Sequence, residues 1–182
     1  MMLPQLTLVL GGAASGKSAF AERLACACAP RRLYIATGEP RDTEMQARIN
    51  AHRARRGEGW RTTEAPRNLA PALTAAENGE VVLLDCATMW LANHMLAGND
   101  TQSAWRVLRS ALDSCAAPVI VVSNETGMGV VPENALGRAF RQAQGELNQK
   151  LAARAGLVVQ VIAGLPQVLK GILPEDCPGS ET

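Results

Sequence analysis

Apolar residues fall into five short runs along the chain: LTLVL (6–10), RLYIA (32–36), VVLLD (81–85), PVIVVS (118–123) and LVVQVIA (157–163). They are nearly continuous in apolar character rather than alternating, which is how strands buried on both faces of a parallel sheet read. Helical periodicity fills the gaps between them. Phe20, Leu24 and Cys28 recur every four residues after the first run. TEMQARINAHRARR (43–56) opens with Thr43 and Gln46 in capping-box spacing. ATMWLANHML (87–96) and TQSAWRVLRSALDSC (101–115) follow, and PENALGRAFRQAQGELNQKLAARAG (132–156) is the longest, with Pro132 suited to its first turn and Gly156 to its end. Strand and helix alternate, so the pattern predicts an α/β fold with right-handed crossovers. No internal repeat, low-complexity block or Gly/Ser/Pro-rich linker divides the chain, and the polar, turn-rich PEDCPGSET at its end reads as a loose tail.

Composition narrows the class. A chain of 182 residues that is 47% hydrophobic suits one domain with a sizeable core, and no run reaches the roughly 18–20 apolar residues a bilayer needs. MMLPQLTLVLGG lacks a charged start and leads straight into glycines, which reads as a first strand rather than a signal peptide. The formal net charge of +1 gives no global attraction to nucleic acid or anionic lipid. Locally, six arginines stand between Arg41 and Arg61 against Asp42, Glu44 and Glu58. An odd set of five scattered cysteines predicts reduced thiols and a cytoplasmic protein. His52 and His94 are the only histidines, and neither has zinc-ligand spacing to a cysteine.

The chemistry begins at LVLGGAASGKSAF. Gly11, four intervening residues (Gly12, Ala13, Ala14, Ser15), then Gly16-Lys17-Ser18 form a phosphate-binding loop pattern, placed between a strand and a helix as that motif requires. Glycines let backbone N–H groups converge on phosphate oxygens, and the helix N-terminus adds positive potential. Lys17 is expected on the β- and γ-phosphates, Ser18 on Mg²⁺, and Asp85, closing VVLLD, as the acidic partner that holds or orients the ion. Capping of the next helix is a second, compatible role for Asp85.

On the helix predicted over 43–56, Met45, Ile49 and His52 share one face, and Arg48, Arg55 and Arg56 lie three or four residues from His52. Surrounding arginines disfavour an imidazolium and attract phosphates, which brings a triphosphate towards a neutral ring nitrogen. Spacing alone serves equally a basic amphipathic helix with an incidental histidine.

Further along, YIATG (34–38), DTEMQARINAH, RRGEGWRTTEAP, LLDCATMWLAN and VSNETGMGVVPENALGRAFRQAQGELNQKLAARA (122–155) follow the glycine loop in order, and the likeness extends to GLPQVLK near residue 170. In these blocks the chain resembles the bifunctional adenosylcobinamide kinase / adenosylcobinamide-phosphate guanylyltransferases of cobalamin biosynthesis. The resemblance implies a P-loop NTPase (RecA-like) three-layer fold with a mostly parallel central sheet. It implies one catalytic domain over 1–182 with about 172–182 loose, and a homotrimer that acts on a corrinoid, not on nucleic acid. A nucleoside triphosphate, ATP or GTP, would phosphorylate the aminopropanol hydroxyl of adenosylcobinamide. GTP would then donate a guanylyl group through a histidine–GMP phosphoramidate, at the position matched here by His52. Nucleotide contacts carry over to Gly11–Ser18, to Ala36, Thr37 and Gly38, and to Arg53, Ala54, Arg55 and Arg56. Glu64 is the candidate partner of guanine, and His94 falls outside the motif as a structural residue. The chain departs from the family at Ala14, where arginine is frequent, and at Gln142, where aspartate is usual.

Asn124 and Glu125, after the fourth apolar run, are candidates to meet the corrinoid side chain or to position its hydroxyl. For Glu125 a loop-stabilising role stands beside a catalytic one. Two transfers in one protein need different placements of the triphosphate or of the helix bearing His52, with Gly38-Glu39-Pro40, Gly57 and Gly59 as hinges. The rival classes are a single-step P-loop small-molecule kinase, a GTP-dependent switch and a recombinase-like DNA ATPase. The switch lacks its Asn-Lys-x-Asp stretch, since SNETGMG stands there, and three tryptophans, one tyrosine and two phenylalanines give the DNA reading little to stack with.

Overall fold

The computed structural model describes residues 3–39 and 57–174. The helix expected over 43–56 and the terminal 175–182 lie outside the described residues. A seven-stranded sheet runs in the order β3-β2-β4-β5-β1-β6-β7. Its strands are β1 (Leu6–Gly11), β2 (Arg31–Ala36), β3 (Trp60–Glu64), β4 (Glu80–Asp85), β5 (Val119–Asn124), β6 (Leu157–Ile162) and β7 (Leu165–Lys170). All neighbours pair in parallel except β6 and β7, which form an antiparallel hairpin.

Side-chain alternation explains why the central strands read as continuous apolar runs. Leu8, Leu33, Ile35, Val82, Leu84, Val119 and Val121 point into one core, whereas Val9, Tyr34, Val81, Leu83, Ile120 and Val122 point into the other. The first core is closed by α2 (Ala70–Thr74), α3 (Ala87–Leu96), α4 (Thr101–Ser114) and α5 (Ala135–Arg154). The second is closed among the described residues by α1 (Lys17–Cys28), through Phe20, Ala21, Leu24 and Ala25. Each such large side chain is worth about 1.5–3 kcal/mol when fully buried, so the three layers are held mainly by apolar contact across the sheet.

The five expected strands are present, and two more flank them. β3 is a mostly exposed WRTTE and β7 an exposed, proline-containing LPQVLK; edge strands are not sandwiched, so neither shows a sustained apolar run. The longest helix starts later than the sequence suggests. Asn134 is its N-cap, accepting from the Gly137 N–H at 2.6 Å, and Pro132 lies before the cap, close over Gly137, where a Cβ would come 2.8 Å from the Pro132 Cβ. Cys26, Cys28, Cys86 and Cys115, the four cysteines in the described residues, are free thiols.

One ion pair fastens the β3 edge. Arg61 reaches across β2 to the nearly buried Glu80 at the start of β4, with Nη2 2.7 Å from Oε2 and Nε 2.9 Å from Oε1, and the same carboxylate accepts the Glu77 N–H at 2.9 Å. The Arg61 hydrogen bonds hold the Glu80 carboxyl at about 2, below its ordinary 4.5, against the opposing effect of burial. A lowered carboxyl stabilises the fold above its unfolded-state value and loses that contribution as pH falls from about 4.5 towards 2. Because Arg61 is partly exposed, Glu80→Gln is expected to lower unfolding stability by about 1–2 kcal/mol at pH 7. The wild-type advantage should shrink through that acid window, as denaturant titrations at pH 7, 4 and 3 will record.

Candidate functional site

Those expected site residues that are described lie at the carboxyl ends of the strands, where open α/β folds take their ligands. Register pairs align them: Glu64 lies opposite Ala36, Ala36 opposite Asp85, and Asn124 opposite Gly11, which also faces Val161. From the phosphate loop, Asp85 is two strand spacings away and Glu64 four, about 10 Å and 19 Å at ~4.8 Å per strand.

The loop itself is built from β1 into α1. Gly16 is the N-cap at φ 90°, in the left-handed region, and a Cβ there would come 3.2 Å from the Gly164 Cα. Gly11 has no room for a side chain, since a Cβ would lie 2.7 Å from the Val161 carbonyl oxygen and collide with Ser15 Oγ. Ala14 holds φ 55° without glycine's freedom. Three carbonyls of the loop are engaged: Gly11 O accepts from Glu125 N at 3.0 Å, Gly12 O from Ser15 N at 3.3 Å, and Ser15 O from Gly164 N at 2.8 Å. Lys17, buried to 9% exposure, donates from Nζ to Gly12 O at 3.0 Å, which brings its ammonium over the loop. Gly16 offers no side-chain cap and the first turn of α1 carries no acidic residue, so the helix end keeps its attraction for an anion.

Asp85 ends β4 and its Oδ2 accepts the Tyr34 hydroxyl at 3.0 Å. The peptide bond to Cys86 is cis. Thr37, fully buried, clips this turn from β2: its Oγ1 accepts from Cys86 N and donates to Cys86 O, both at 2.7 Å, and its own carbonyl accepts from Asn93 Nδ2 at 2.8 Å. Desolvation, and then the neighbouring Asp85 carboxylate, push the Cys86 thiol up to about 11, so it stays protonated beside the site. No group of three or more His, Cys, Asp or Glu among the described residues forms a metal cage. A hydroxyl at Ser18 and a carboxylate at Asp85 are hard oxygen donors, and they fit an Mg²⁺ that arrives with phosphate and water ligands rather than a resident ion.

Glu125 Oε1 accepts the Gly127 N–H of its own loop, and Arg141 Nη2 donates to Gly127 O. His94 uses both ring nitrogens, against Arg67 O at 3.2 Å and Asn99 Nδ2 at 3.0 Å, and stands edge-on to Trp90. Gln142 bonds Glu146 at 2.9 Å on the exposed side of α5. His52, Arg53, Ala54, Arg55 and Arg56 lie outside the described residues. Tyr34, Thr88, Gln144 and Asn148 were absent from the sequence reading. They sit within the quoted blocks; Gln144 and Asn148 are four apart on α5, but the partners that tie each residue to the site are 21–51 residues away.

Comparison with known proteins bears on all of this. Among solved structures, the fold resembles the RadB recombinase (TM-score 0.51, 17% identity, 95% of this chain and 84% of that one). It also resembles an ATPase of a bacterial type III secretion system (TM-score 0.51, 10% identity, 87% of this chain and 51% of that one). At such identities the likeness establishes the P-loop NTPase fold alone. The chain is 45% identical over 167 residues to the bifunctional adenosylcobalamin biosynthesis protein CobP of Pseudomonas aeruginosa, covering 90% of this chain and 96% of that one. It is 40% identical over 181 residues to CobU of Salmonella typhimurium and, equally, to CobU of Escherichia coli, covering 91% of this chain and 99% of each. A family model described as cobinamide kinase / cobinamide phosphate guanyltransferase matches residues 7–169. With the glycine loop at the head of a parallel sheet and a match spanning nearly all of it, the chain belongs to the cobinamide kinase / cobinamide phosphate guanyltransferase family.

Proposed function

We propose that this chain phosphorylates the aminopropanol hydroxyl of adenosylcobinamide with ATP or GTP. It then transfers GMP from GTP to the resulting phosphate, releasing pyrophosphate. The observation that carries the reading is that Glu64, Ala36 and Asp85 are register partners at the carboxyl ends of their strands, with the phosphate loop at the same end of β1, in a chain of this family.

In the first transfer the acceptor oxygen attacks the γ-phosphorus and the bond to the β-phosphate bridge breaks. Gly11 to Ser18 hold the triphosphate, and Lys17 offsets charge on the oxygens that gain it. Ser18 and Asp85 would hold Mg²⁺, which supplies charge neutralisation across the phosphates. In the second transfer a neutral nitrogen of His52 attacks the α-phosphorus of GTP, and pyrophosphate departs. An oxygen of the corrinoid phosphate then displaces the histidine. Arg48, Arg55 and Arg56 attract the leaving pyrophosphate and keep the ring uncharged, and Arg53 and Ala54 add nucleotide contacts on that same stretch. Glu64 accepts from the N1–H and exocyclic amine of guanine.

The separation of about four strand spacings between Gly11 and Glu64, ~19 Å, is long for one nucleotide held at both ends. It supports different triphosphate placements in the two steps. Of the hinge candidates for the segment bearing His52, Gly59 is anchored, since its carbonyl accepts from Arg32 N at 2.9 Å and Glu58 O from Arg32 Nη2 at 2.7 Å, which favours Gly57 and Gly38-Glu39-Pro40. Ala36, Thr37 and Gly38 shape the nucleotide's flank, Thr37 through the turn it fastens. The exposed Leu165, Val168 and Leu169 on the edge strand β7 leave apolar surface for the subunit contacts that the expected homotrimer needs. A cytoplasmic setting agrees with the free thiols, and no helix of the described residues is long and apolar enough to cross a membrane.

Two measurements test this. Lys17→Ala is expected to lower kcat for cobinamide phosphorylation about 10²–10³-fold with the fold intact; a loss below fivefold removes Lys17 from the reaction. GTP labelled at the α-phosphate should leave an acid-labile, base-stable label on the protein, and γ-label should not remain. His52→Ala should abolish that label and guanylyl transfer while phosphorylation stays within about threefold. Phosphorylation lost together with guanylyl transfer in a folded His52→Ala protein argues against separable roles.

A further inference from the structure

The turn after β5 is held far more tightly than its exposure suggests. β5 lies between β4, which ends in Asp85, and β1, which ends in the phosphate loop. Its last residue, Asn124, pairs with Gly11 of the phosphate loop, and Asp85 lies on the other side opposite Val122, two residues earlier on β5. Three hydrogen bonds from three different elements fix the peptide units at Asn124 and Glu125. The Asn124 N–H donates to Thr88 Oγ1 of α3 at 2.8 Å, the Asn124 carbonyl accepts from Asn148 Nδ2 of α5 at 3.0 Å, and the Glu125 N–H donates to Gly11 O at 3.0 Å.

Asn148 is itself oriented by a closed set of buried bonds. Its Oδ1 accepts from Ser123 Oγ at 2.7 Å and from Gln144 Nε2 at 2.9 Å, and Gln144 Nε2 also donates to Ser123 Oγ at 2.9 Å. Ser123 and Gln144 have no exposed surface, Thr88 keeps 5% and Asn148 7%. Apolar side chains would fill these positions at less desolvation cost, and Gln144 Oε1 is left without a hydrogen-bond partner. Packing alone therefore does not account for the network. Its output is the direction of one peptide, at the place where an acceptor must meet a terminal phosphate.

We propose that Thr88 and Asn148, with Ser123 and Gln144 behind Asn148, are positioning residues for the phosphoryl transfer. They hold the Asn124–Glu125 turn at the distance from the phosphate loop that sets the acceptor hydroxyl in line with the terminal phosphate. The proposal rests on the kinase reading above. Among the described residues, the network is tied to the phosphate loop through the Gly11 carbonyl and the β1–β5 pairing, and the Lys17 contact and the α1 end are built elsewhere. Loss of the network therefore leaves nucleotide binding in place and slows the chemical step.

The test compares Thr88→Val, which keeps shape and removes the acceptor, with Thr88→Ser, which restores it, and with Asn148→Leu. Rates of cobinamide phosphorylation and dissociation constants for a fluorescent ATP analogue are measured on each. Thr88→Val and Asn148→Leu are expected to lose about 10–100-fold in kcat with nucleotide affinity within about twofold, and Thr88→Ser to return to within about threefold of wild type. If Asn148→Leu does not fold, the Thr88 pair decides by itself. Retention of kcat within twofold in Thr88→Val overturns the proposal, as does a fall in nucleotide affinity proportional to the fall in kcat. A wild-type protein that phosphorylates no cobinamide removes the functional reading, and this proposal with it.

Discussion

A backbone loop receives phosphate more readily when its carbonyl oxygens are engaged away from the anion, since a carbonyl aimed at an anion repels it. In this chain the Gly11 and Ser15 carbonyls are engaged by neighbours, the turn after β5 and the β6–β7 turn. The phosphate loop is thus stitched on both flanks to the two strands beside β1. Close approach of those flanks leaves no space for side chains at Gly11 or Gly16. The glycines and the sheet order are two sides of one constraint, and Lys17 completes it by bonding Gly12 O from above.

The sheet order extends that constraint into a site. With β1 between β5 and β6, and β4 and β2 beyond β5, the ends of the apolar strands present their polar residues along one edge. Tyr34, Thr37, Thr88 and Asn148 then fix the turns that carry Asp85 and Asn124. These residues come from the end of β2, from α3 and from α5, so the sheet and one helical layer contribute to the same few peptides. Rigidity there matters because displacement of about 1 Å costs phosphoryl transfer roughly as much as loss of a charged group. The two carboxylates nearest the site differ in employment. Asp85 faces the Tyr34 hydroxyl at a strand end, whereas one oxygen of Glu125 closes its own loop, which favours the loop-stabilising reading of that residue.

Local chemistry settled much of this before any tertiary contact was known. Five continuous apolar runs separated by helical periodicity dictate a covered parallel sheet, and Gly11, Gly16, Lys17 and Ser18 dictate a phosphate loop between a strand and a helix, because both signals depend on neighbours in sequence. The blocks from YIATG to KLAARA made the family legible as well. Other features depended on partners far along the chain. β3 and β7 are edge strands whose exposed faces erase the apolar signal, and their place is decided by Arg61 meeting Glu80 and by the hairpin with β6. The start of α5 turned on whether Asn134 or Pro132 came first at the cap, a choice made by packing over Gly137. In the buried set, Gln144 and Asn148 share a helix spacing of four, but their bonds to Ser123 could not be read, since a hydrogen bond between residues more than 20 positions apart has no local signature until the sheet and α5 bring them together. Sequence determined which groups the chain carries to its phosphate site; tertiary structure decided which of their peptides are held still, because only packing sets the distance between separate elements.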